Sequence, residues 1–362
     1  MSQAGRVRRH ILEMPAYTPV QPLEALSQQF GVPVEQIIKL DANENPFGPL
    51  PEVRQALAAL PDAHIYPDPQ SRALRAGLAA YHGVPVETLL AGAGADELID
   101  LLLRLLIEPG EAVINCPPTF GMYRFDGDVN RARVVNVPRR ADFSLDVDAI
   151  EAAVRREQAR LIFIASPNNP DGSLADPAAI ERLLQLPALL ALDEAYIEFA
   201  PLGSSRIGQV AERDNLVVLR TFSKWAGLAG LRAGYGAFPA ALIPHLWKIK
   251  QPYNLSAAAA AAAQVSLQHA SRLEAAGRRI IAERERLFAG LQVVAYLRPY
   301  PSQANFILCQ VLGRSAAELR LALARRGVVL RYFDAPGLRD HIRISIGLPE
   351  HTDRLLQLLR EI

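Results

Sequence analysis

Cysteine is scarce in this sequence, which has 2 cysteines among 362 residues. Cys116 and Cys309 both lie in apolar, strand-like runs, where a cysteine is expected to be a buried and reduced thiol. The sequence therefore predicts a reducing, cytoplasmic compartment.

The sequence also lacks an excess of charge of either sign. The 39 lysines and arginines nearly balance the 38 aspartates and glutamates, which leaves a formal net charge of +1. This balance argues against a nucleic acid or an acidic membrane as a partner attracted by bulk charge.

Long apolar runs are absent as well. No segment approaches the roughly 18 apolar residues that would indicate a membrane span. The basic start, with Arg6, Arg8 and Arg9, continues to Glu13 and Pro15 without the apolar stretch that a signal peptide requires. We therefore expect no membrane partner.

Alternating helix and strand patterns are what the sequence has in abundance. With 362 residues, the chain exceeds one ordinary core of about 100 to 200 residues, so a large and a smaller domain are expected. Helical patterns occur between Ser71 and Gly83 and at 96–107, 146–158 and 177–186. Apolar strand patterns occur at 112–116, 133–137, 161–165, 189–192, 216–219 and 233–238. This alternation predicts an α/β fold with a mostly parallel sheet flanked by helices, and functional groups at the strand ends.

The last third of the sequence has a different character. Ser256 opens an alanine-rich run and a helical stretch that reaches about Leu291. A smaller α+β layer follows, with strand patterns at 305–309, 328–331 and 342–346. An N-terminal helix is expected to pack on this layer through Leu23, Leu26 and Phe30. The predicted units are an N-terminal segment, a large domain and a small domain, at 1–44, 45–260 and 261–362.

Lys224 is the strongest candidate for a reactive residue. It follows a strand pattern in Arg220-Thr-Phe-Ser-Lys224, with Ser223 beside it and Arg232 a short glycine-containing stretch away. A lone lysine at such a place would most often be a solvated surface residue. A lysine for an aldehyde, with a hydroxyl and a guanidinium for a phosphate, is however the set that bound pyridoxal phosphate needs.

Asp193 and Tyr196 follow the strand pattern at 189–192. A buried carboxylate needs a partner, and the protonated ring nitrogen of pyridoxal phosphate would be one. Taken alone, Asp193 fits a helix N-cap equally well. Glu194 is a weaker candidate, for which a structural role is open.

Two turns add further polar groups. Gly92-Ala-Gly-Ala-Asp-Glu97 opens a helix near Asp96, and the free backbone amides there suit a phosphate. By itself, a glycine-rich turn is more often only a turn. Ser166-Pro-Asn-Asn-Pro-Asp-Gly172 forms a rigid loop from which Asn169 could donate to a phenolate oxygen of the cofactor. An Asx-turn is the alternative for this asparagine.

Together these residues resemble the fold type I aminotransferases, whose signature is a strand-end Asp-x-x-Tyr followed by Ser-Lys and a later Arg. The resemblance covers nearly the whole chain. More narrowly, the sequence resembles the histidinol-phosphate aminotransferase family at 40–49 (LDANENPFGP), 66–67 (YP), 193–199 (DEAYIEF) and 228–232 (LAGLR).

The resemblance implies pyridoxal 5'-phosphate as the cofactor and no metal ion. Lys224, Asp193 and Tyr196 would be the catalytic residues: Lys224 binds the aldehyde, Asp193 the ring nitrogen, and Tyr196 the phenolic oxygen together with Asn169. The cofactor phosphate would be held by Ala95, Asp96, Ser223 and Arg232. Phe120 would stack on the ring.

The resemblance also implies contacts beyond the cofactor of one subunit. Tyr66 would reach the cofactor phosphate of the other subunit, which implies a homodimer with shared active sites. Arg343 would bind the substrate carboxylate. The phosphate end of the substrate would be faced by Arg331, Tyr17 and Asn43.

Three positions depart from the family pattern. Many relatives have Tyr where this chain has Phe120, so only stacking is expected there. Ala93 stands where many have Asn, and Asp171 stands where Thr is usual. Neither Ala93 nor Asp171 is needed for the bond to Lys224, so these two departures affect only details of cofactor binding.

The implied activity is transamination between histidinol phosphate and 2-oxoglutarate, which gives imidazole-acetol phosphate and glutamate in histidine biosynthesis. Threonine-phosphate decarboxylation and aromatic amino acid transamination are the alternatives on the same scaffold. A cofactor-sensing regulator is the non-enzyme alternative, but such proteins normally append a DNA-binding domain, and no basic helix-turn-helix pattern is visible.

Overall fold

The computed structural model describes residues 6–16, 19–61 and 63–362, which form two β-sheets surrounded by helices. The strands of the described chain are β1 (Ile38–Leu40), β2 (Leu89–Gly92), β3 (Ala112–Asn115), β4 (Arg133–Asn136), β5 (Leu161–Ala165), β6 (Leu189–Asp193), β7 (Leu216–Thr221), β8 (Gly234–Ala237), β9 (Leu297–Pro299), β10 (Phe306–Val311), β11 (Val328–Tyr332) and β12 (His341–Ser345).

The helices of the described chain lie between and outside these strands. They are α1 (Arg9–Glu13), α2 (Leu23–Phe30), α3 (Pro51–Ala58), α4 (Arg72–His82), α5 (Gly94–Leu106), α6 (Met122–Val129), α7 (Val147–Glu157), α8 (Pro177–Leu183), α9 (Ile243–Ile249), α10 (Ala257–Gln268), α11 (Ala270–Gln292), α12 (Ala316–Ala324) and α13 (Pro349–Glu361).

The larger sheet has the strand order β2-β8-β7-β6-β5-β3-β4. β8 runs antiparallel to both of its neighbours, and the other pairs are parallel. In β5, Ile162 and Ile164 enter one hydrophobic core while Leu161 and Phe163 enter another. Because both faces of the sheet are covered, the strand is apolar at every position. The predicted mostly parallel α/β sheet is confirmed.

The smaller sheet has the order β1-β11-β12-β10-β9, and its first strand comes from the N-terminal part of the chain. β1 pairs in parallel with β11, so the two ends of the chain meet in one layer. In α2, Leu26 packs against Ala324 and Val329 with Phe30 beside them, which confirms the predicted N-terminal helix. The unit bounds 1–44, 45–260 and 261–362 stay a prediction, since one hydrophobic core continues through both sheets.

The helical stretch predicted from Ser256 to about Leu291 is wrong in one respect, because it is broken at His269 into α10 and α11. α10 packs on α3 and α4, whereas α11 packs on β9, β10 and α13. No glycine or proline lies at the break, and the two helices differ in their packing partners. No helix in the described ranges combines the length and the apolarity needed to cross a bilayer.

The start of α5 also differs from the prediction, which began this helix near Asp96. The helix begins at Gly94, and Glu97 Oε2 accepts a hydrogen bond of 2.6 Å from the Ala93 backbone amide. Glutamate in the first turn thus satisfies a free donor at the helix start, as in a capping box. The consequence is that the amides of Gly94 and Ala95 belong to the helix N-terminus.

Candidate active site

The carboxyl ends of the parallel strands bring the predicted residues together. Asn169 follows β5, Asp193 ends β6 and Lys224 follows β7. These strands are neighbours in the sheet, so their ends meet at one edge. They border a cavity of about 130 Å³, which is also lined by the other predicted cofactor residues Ala95, Asp96, Phe120, Tyr196, Ser223 and Arg232.

The Asp193 carboxylate is buried and has two donors. Its Oδ2 accepts from Tyr123 Oη at 2.6 Å, and its Oδ1 accepts from the Ala195 backbone amide at 3.0 Å. Burial raises the pKa of Asp193 to about 6, while these two hydrogen bonds act to lower it. The hydrogen bond to the nearby Ala195 amide is the kind that an N-cap aspartate makes, which was the alternative role for Asp193. The bond to Tyr123 instead ties the carboxylate to a distant element.

Lys224 is the lysine whose surroundings suit a nucleophile. Its Nζ donates to Ala42 O at 3.3 Å and lies 5.8 Å from the centre of the Tyr196 ring. Burial, assisted by the positive charge of Arg343, lowers the pKa of Lys224 to about 8. Lys250 is different, because its ammonium is held by four oxygens, among them Asn254 Oδ1 at 2.7 Å.

The start of α5 and Arg232 form a cradle of donors. A Cβ atom on Gly94 would lie 2.6 Å from Arg232 Nη2, and one on Gly234 would lie 2.4 Å from Gly94 C. Only glycine therefore permits this approach of backbone and guanidinium. Arg232 Nη2 donates to Asp96 Oδ2 at 2.6 Å, so the amide of Asp96, rather than its carboxylate, is the group suited to a phosphate.

Asn169 is oriented by Arg343. Arg343 Nη1 donates to Asn169 Oδ1 at 2.6 Å, and Arg343 Nη2 donates to Asp41 O at 2.7 Å. A guanidinium has no acceptor, so it faces the oxygen of the amide and leaves Nδ2 as the donor of Asn169. This orientation suits the predicted hydrogen bond to a phenolic oxygen.

A larger cleft of about 1380 Å³ continues from the cavity and contains the predicted substrate residues Asn43, Arg331 and Arg343. Arg331 and Arg343 lie directly opposite each other on β11 and β12. Asn43 is buried, and its Nδ2 donates to Tyr196 Oη at 3.1 Å. Its contact in this structure is therefore with a predicted catalytic residue. Tyr17 lies outside the described residues.

Tyr66 stands apart from these groups. Its side chain is 77% exposed, and its ring stacks on that of Tyr253 with a centroid separation of 4.4 Å. Tyr66 is not one of the described residues that line the cavity and the cleft. Its predicted contact with a second subunit stays a prediction.

The three departures from the family pattern are accommodated locally. Phe120 lines the cavity. The backbone amide of Ala93 donates to Glu97 Oε2. Asp171 accepts from Asn168 Nδ2 and from the Ser173 amide at 2.9 Å, so it stabilises the loop that carries Asn169.

Sequence reasoning missed Tyr123, although it lies three residues after Phe120. Its ring is stacked on Phe163 with a centroid separation of 4.9 Å, and its hydroxyl reaches Asp193. No helical or strand pattern in the sequence marked it, because Phe120 lies before the start of α6. Glu194, for which a structural role was open, forms a buried ion pair of 2.8 Å with Arg220.

The residues that line the cavity fit pyridoxal phosphate. A lysine with a lowered pKa suits the aldehyde, a buried carboxylate suits a protonated ring nitrogen, and the cradle of amides and guanidinium suits a phosphate. The phenylalanine at 120 offers an apolar ring for stacking.

Comparisons with known proteins show the family to which the chain belongs. The family model "Aminotransferase class I and II" matches residues 35–359. A histidinol-phosphate aminotransferase of Roseiflexus castenholzii is 51% identical over 100% of this chain and 99% of its own length. The chloroplastic histidinol-phosphate aminotransferase of Nicotiana tabacum is 51% identical over 98% of this chain and 86% of its own. The crystal structure of histidinol-phosphate aminotransferase from Sinorhizobium meliloti with pyridoxal-5'-phosphate has a TM-score of 0.89 and 31% identity, covering 98% of this chain and 97% of that one.

Proposed function

This chain belongs to the class I and II aminotransferase family, and we propose that it transfers an amino group between histidinol phosphate and 2-oxoglutarate. The products are imidazole-acetol phosphate and glutamate, and the cofactor is pyridoxal phosphate. The relatives at 51% identity over nearly the whole chain favour this reaction over threonine-phosphate decarboxylation and over aromatic amino acid transamination.

Each polar group at the strand ends has a role in this reaction. Pyridoxal phosphate supplies an aldehyde that takes up the amino group and a ring that withdraws electrons from the substrate. Lys224 Nζ would hold the aldehyde and, once released, would remove the proton from the substrate α-carbon. With a pKa of about 8, roughly a tenth of Lys224 is neutral at pH 7, far more than for an ordinary lysine.

The remaining groups bind and orient. Asp193 keeps a proton on the ring nitrogen by its negative charge. Asn169 and Tyr196 donate to the phenolic oxygen, with Tyr196 held by Asn43. The amides at the start of α5, Ser223 and Arg232 bind the cofactor phosphate.

The observation that carries the choice of substrate is the pair Arg331 and Arg343. The two residues face each other on adjacent strands, and both side chains line the cleft beside Lys224. Arginine binds carboxylate and phosphate through two-point contacts, so two arginines in one cleft suit a substrate with anionic groups. In our proposal Arg343 binds the α-carboxylate of glutamate, and Arg331 binds the phosphate of histidinol phosphate.

Arg331→Ala is expected to reduce kcat/KM for histidinol phosphate more than for glutamate. A lost charge-assisted contact is worth on the order of 1.5 to 3 kcal/mol, which is roughly a tenfold to a hundredfold change in relative efficiency. Arg343→Ala should instead impair glutamate strongly, because its α-carboxylate is no longer oriented. Steady-state kinetics of both half-reactions measure the two effects.

Arg140→Ala is the matched control, because Arg140 lines the same cleft but is exposed and ion-paired with Asp146. Arg140→Ala should leave kcat/KM nearly unchanged for both histidinol phosphate and glutamate. Equal losses with both donors in Arg331→Ala would remove the phosphate assignment. A wild-type protein that prefers phenylalanine to histidinol phosphate would remove the substrate assignment and leave the family unchanged.

The proposal includes a homodimer in which Tyr66 contributes to the site of the other subunit. Its support is the exposed aromatic pair of Tyr66 and Tyr253, since exposed stacked rings are typical of interfaces, together with the exposed Ile65.

Mixing Tyr66→Ala chains with Lys224→Ala chains should restore activity. One of the two sites in each mixed dimer then has both native residues, so recovery can approach roughly a quarter of the wild-type value. Activity assays after proven subunit exchange measure this, with Tyr66→Phe as a control for the hydroxyl. If exchange occurs without recovery, Tyr66 acts within its own chain or not at all.

A cytoplasmic location is the last part of the proposal. Cys116 and Cys309 are free and buried, and burial raises the pKa of the Cys116 thiol to about 12. Such thiols are expected to be inert and reduced.

A further inference from the structure

We propose that Tyr123 is a positioning residue for the reaction: it orients the Asp193 carboxylate toward the ring nitrogen of the cofactor and supports its negative charge. The inference rests on the proposed function only in assuming that this site binds pyridoxal phosphate. It does not depend on which amino substrate is used.

The position of the Tyr123 ring is set by packing on two sides. The residue lies near the start of α6 and has no exposed surface. Its ring is parallel to that of Phe163 on β5, at 4.9 Å and 3°, and meets Phe120 edge to face, at 5.6 Å and 85°. The hydroxyl therefore has one fixed direction, which ends at Asp193 Oδ2 at 2.6 Å. The same tyrosine thus supports both the expected stacking residue and the expected partner of the ring nitrogen.

The charges around Asp193 make this hydrogen bond important. Asp96 on α5 and the adjacent Glu194 raise the pKa of Asp193, in addition to burial, whereas Tyr123 on α6 and the Ala195 amide lower it. The pKa of Tyr123 is itself raised well above its ordinary value, by burial first and then by Asp193. Tyr123 therefore remains protonated and is a permanent donor.

A stability consequence follows with a definite sign. The pKa of Asp193 in the folded chain, about 6, lies above its ordinary value of 3.8. Ionisation of this group therefore opposes folding, and the contribution of Asp193 to the stability of the cofactor-free chain falls as pH rises from about 4 through 6, then levels off. Tyr123→Phe removes a donor to the charged form and raises the folded pKa further. The stability of Tyr123→Phe relative to that of the wild type should therefore keep falling above pH 6.

The test compares wild type and Tyr123→Phe as full-length chains, with and without pyridoxal phosphate. Denaturant unfolding without cofactor measures the folding equilibrium constant of each chain. The ratio of the constant of Tyr123→Phe to that of the wild type should fall by roughly tenfold to hundredfold from pH 4 to pH 8. The dissociation constant for pyridoxal phosphate at pH 8 should rise by roughly tenfold or more. The acid limb of the pH profile of kcat should move to higher pH.

Two controls separate support of the carboxylate from simple packing. In an Asp193→Asn background, Tyr123→Phe should lose its pH-dependent effect, because no charge forms. Tyr235→Phe removes an equally buried hydroxyl whose partner is His82, at 2.8 Å, and it should leave cofactor affinity unchanged.

A loss of stability that is independent of pH and persists beside Asn at position 193 would overturn the inference. A Tyr123→Phe chain that fails to fold even at pH 4, where Asp193 is protonated, would overturn it too, since packing would then be the main role. Failure of the chain to transaminate histidinol phosphate would leave the unfolding and cofactor-binding results unaffected, so the two proposals can fail separately.

Discussion

The Lys224→Ala chain is expected to fold and to bind pyridoxal phosphate without a covalent bond, but to lose measurable turnover. The cradle of amides and Arg232, and the Asp193 carboxylate, come from other elements of the fold and remain in place. The α-carbon proton then has no base, and general base catalysis alone contributes roughly 10²- to 10⁴-fold to a rate. Loss of the covalent bond to the aldehyde adds to this effect.

Borohydride reduction followed by peptide mapping measures the covalent part directly. The wild-type chain should retain one cofactor on Lys224, and the variant should retain none. Lys248→Ala is a suitable control, because Lys248 is exposed and lies next to His245 on α9. A reduced cofactor found on Lys39, Lys248 or Lys250 would contradict the central assignment.

Asp193→Asn is expected to keep the fold and to lose most of the activity. The neutral amide no longer holds a proton on the ring nitrogen. Removing one partner of a buried charged pair typically costs about 3 to 5 kcal/mol, or roughly two to four orders of magnitude in rate. Single-turnover measurements of the first half-reaction would detect this loss. Near-normal turnover would reject the role of Asp193.

The same variant should be more stable than the wild type when cofactor is absent. Because the folded pKa of Asp193, about 6, lies above 3.8, the buried carboxylate weakens folding above that range. Asparagine removes this cost, which is of the order of a few kcal/mol at pH 8 and absent at pH 4. A gain in stability together with a loss of activity would indicate that the charge is retained for function. If the stability of Asp193→Asn relative to the wild type were lower at pH 8 than at pH 4, the assignment of a destabilising buried charge to Asp193 would be contradicted.

The predictability of the site from sequence differs from residue to residue. Asn169, Asp193 and Lys224 each follow an apolar strand pattern, and parallel strands bring their carboxyl ends to one edge. Their proximity therefore followed from periodicity and order along the chain. Tyr123 had no such signal, because its importance depends on a side chain 70 residues away in sequence.

Element boundaries show the same limit. No glycine or proline marks His269 in the sequence, yet α10 ends there and α11 packs on different elements. β1 and β9 have 3 residues each, which is too short for a clear period-two pattern. They were missed because pairing with neighbouring strands, rather than local pattern, stabilises them.

Taken by itself, the sequence determined the α/β class, the covered parallel sheet, the lysine and aspartate at the strand ends, and the family. These depend on local pattern and on residue types whose chemistry is specific. The tertiary structure alone decided which donors meet which acceptors: Tyr123 with Asp193, Asn43 with Tyr196, and Arg343 with Asn169. Those contacts join residues between 70 and 174 positions apart, and pKa values depend on burial and on neighbours that only the folded chain brings together.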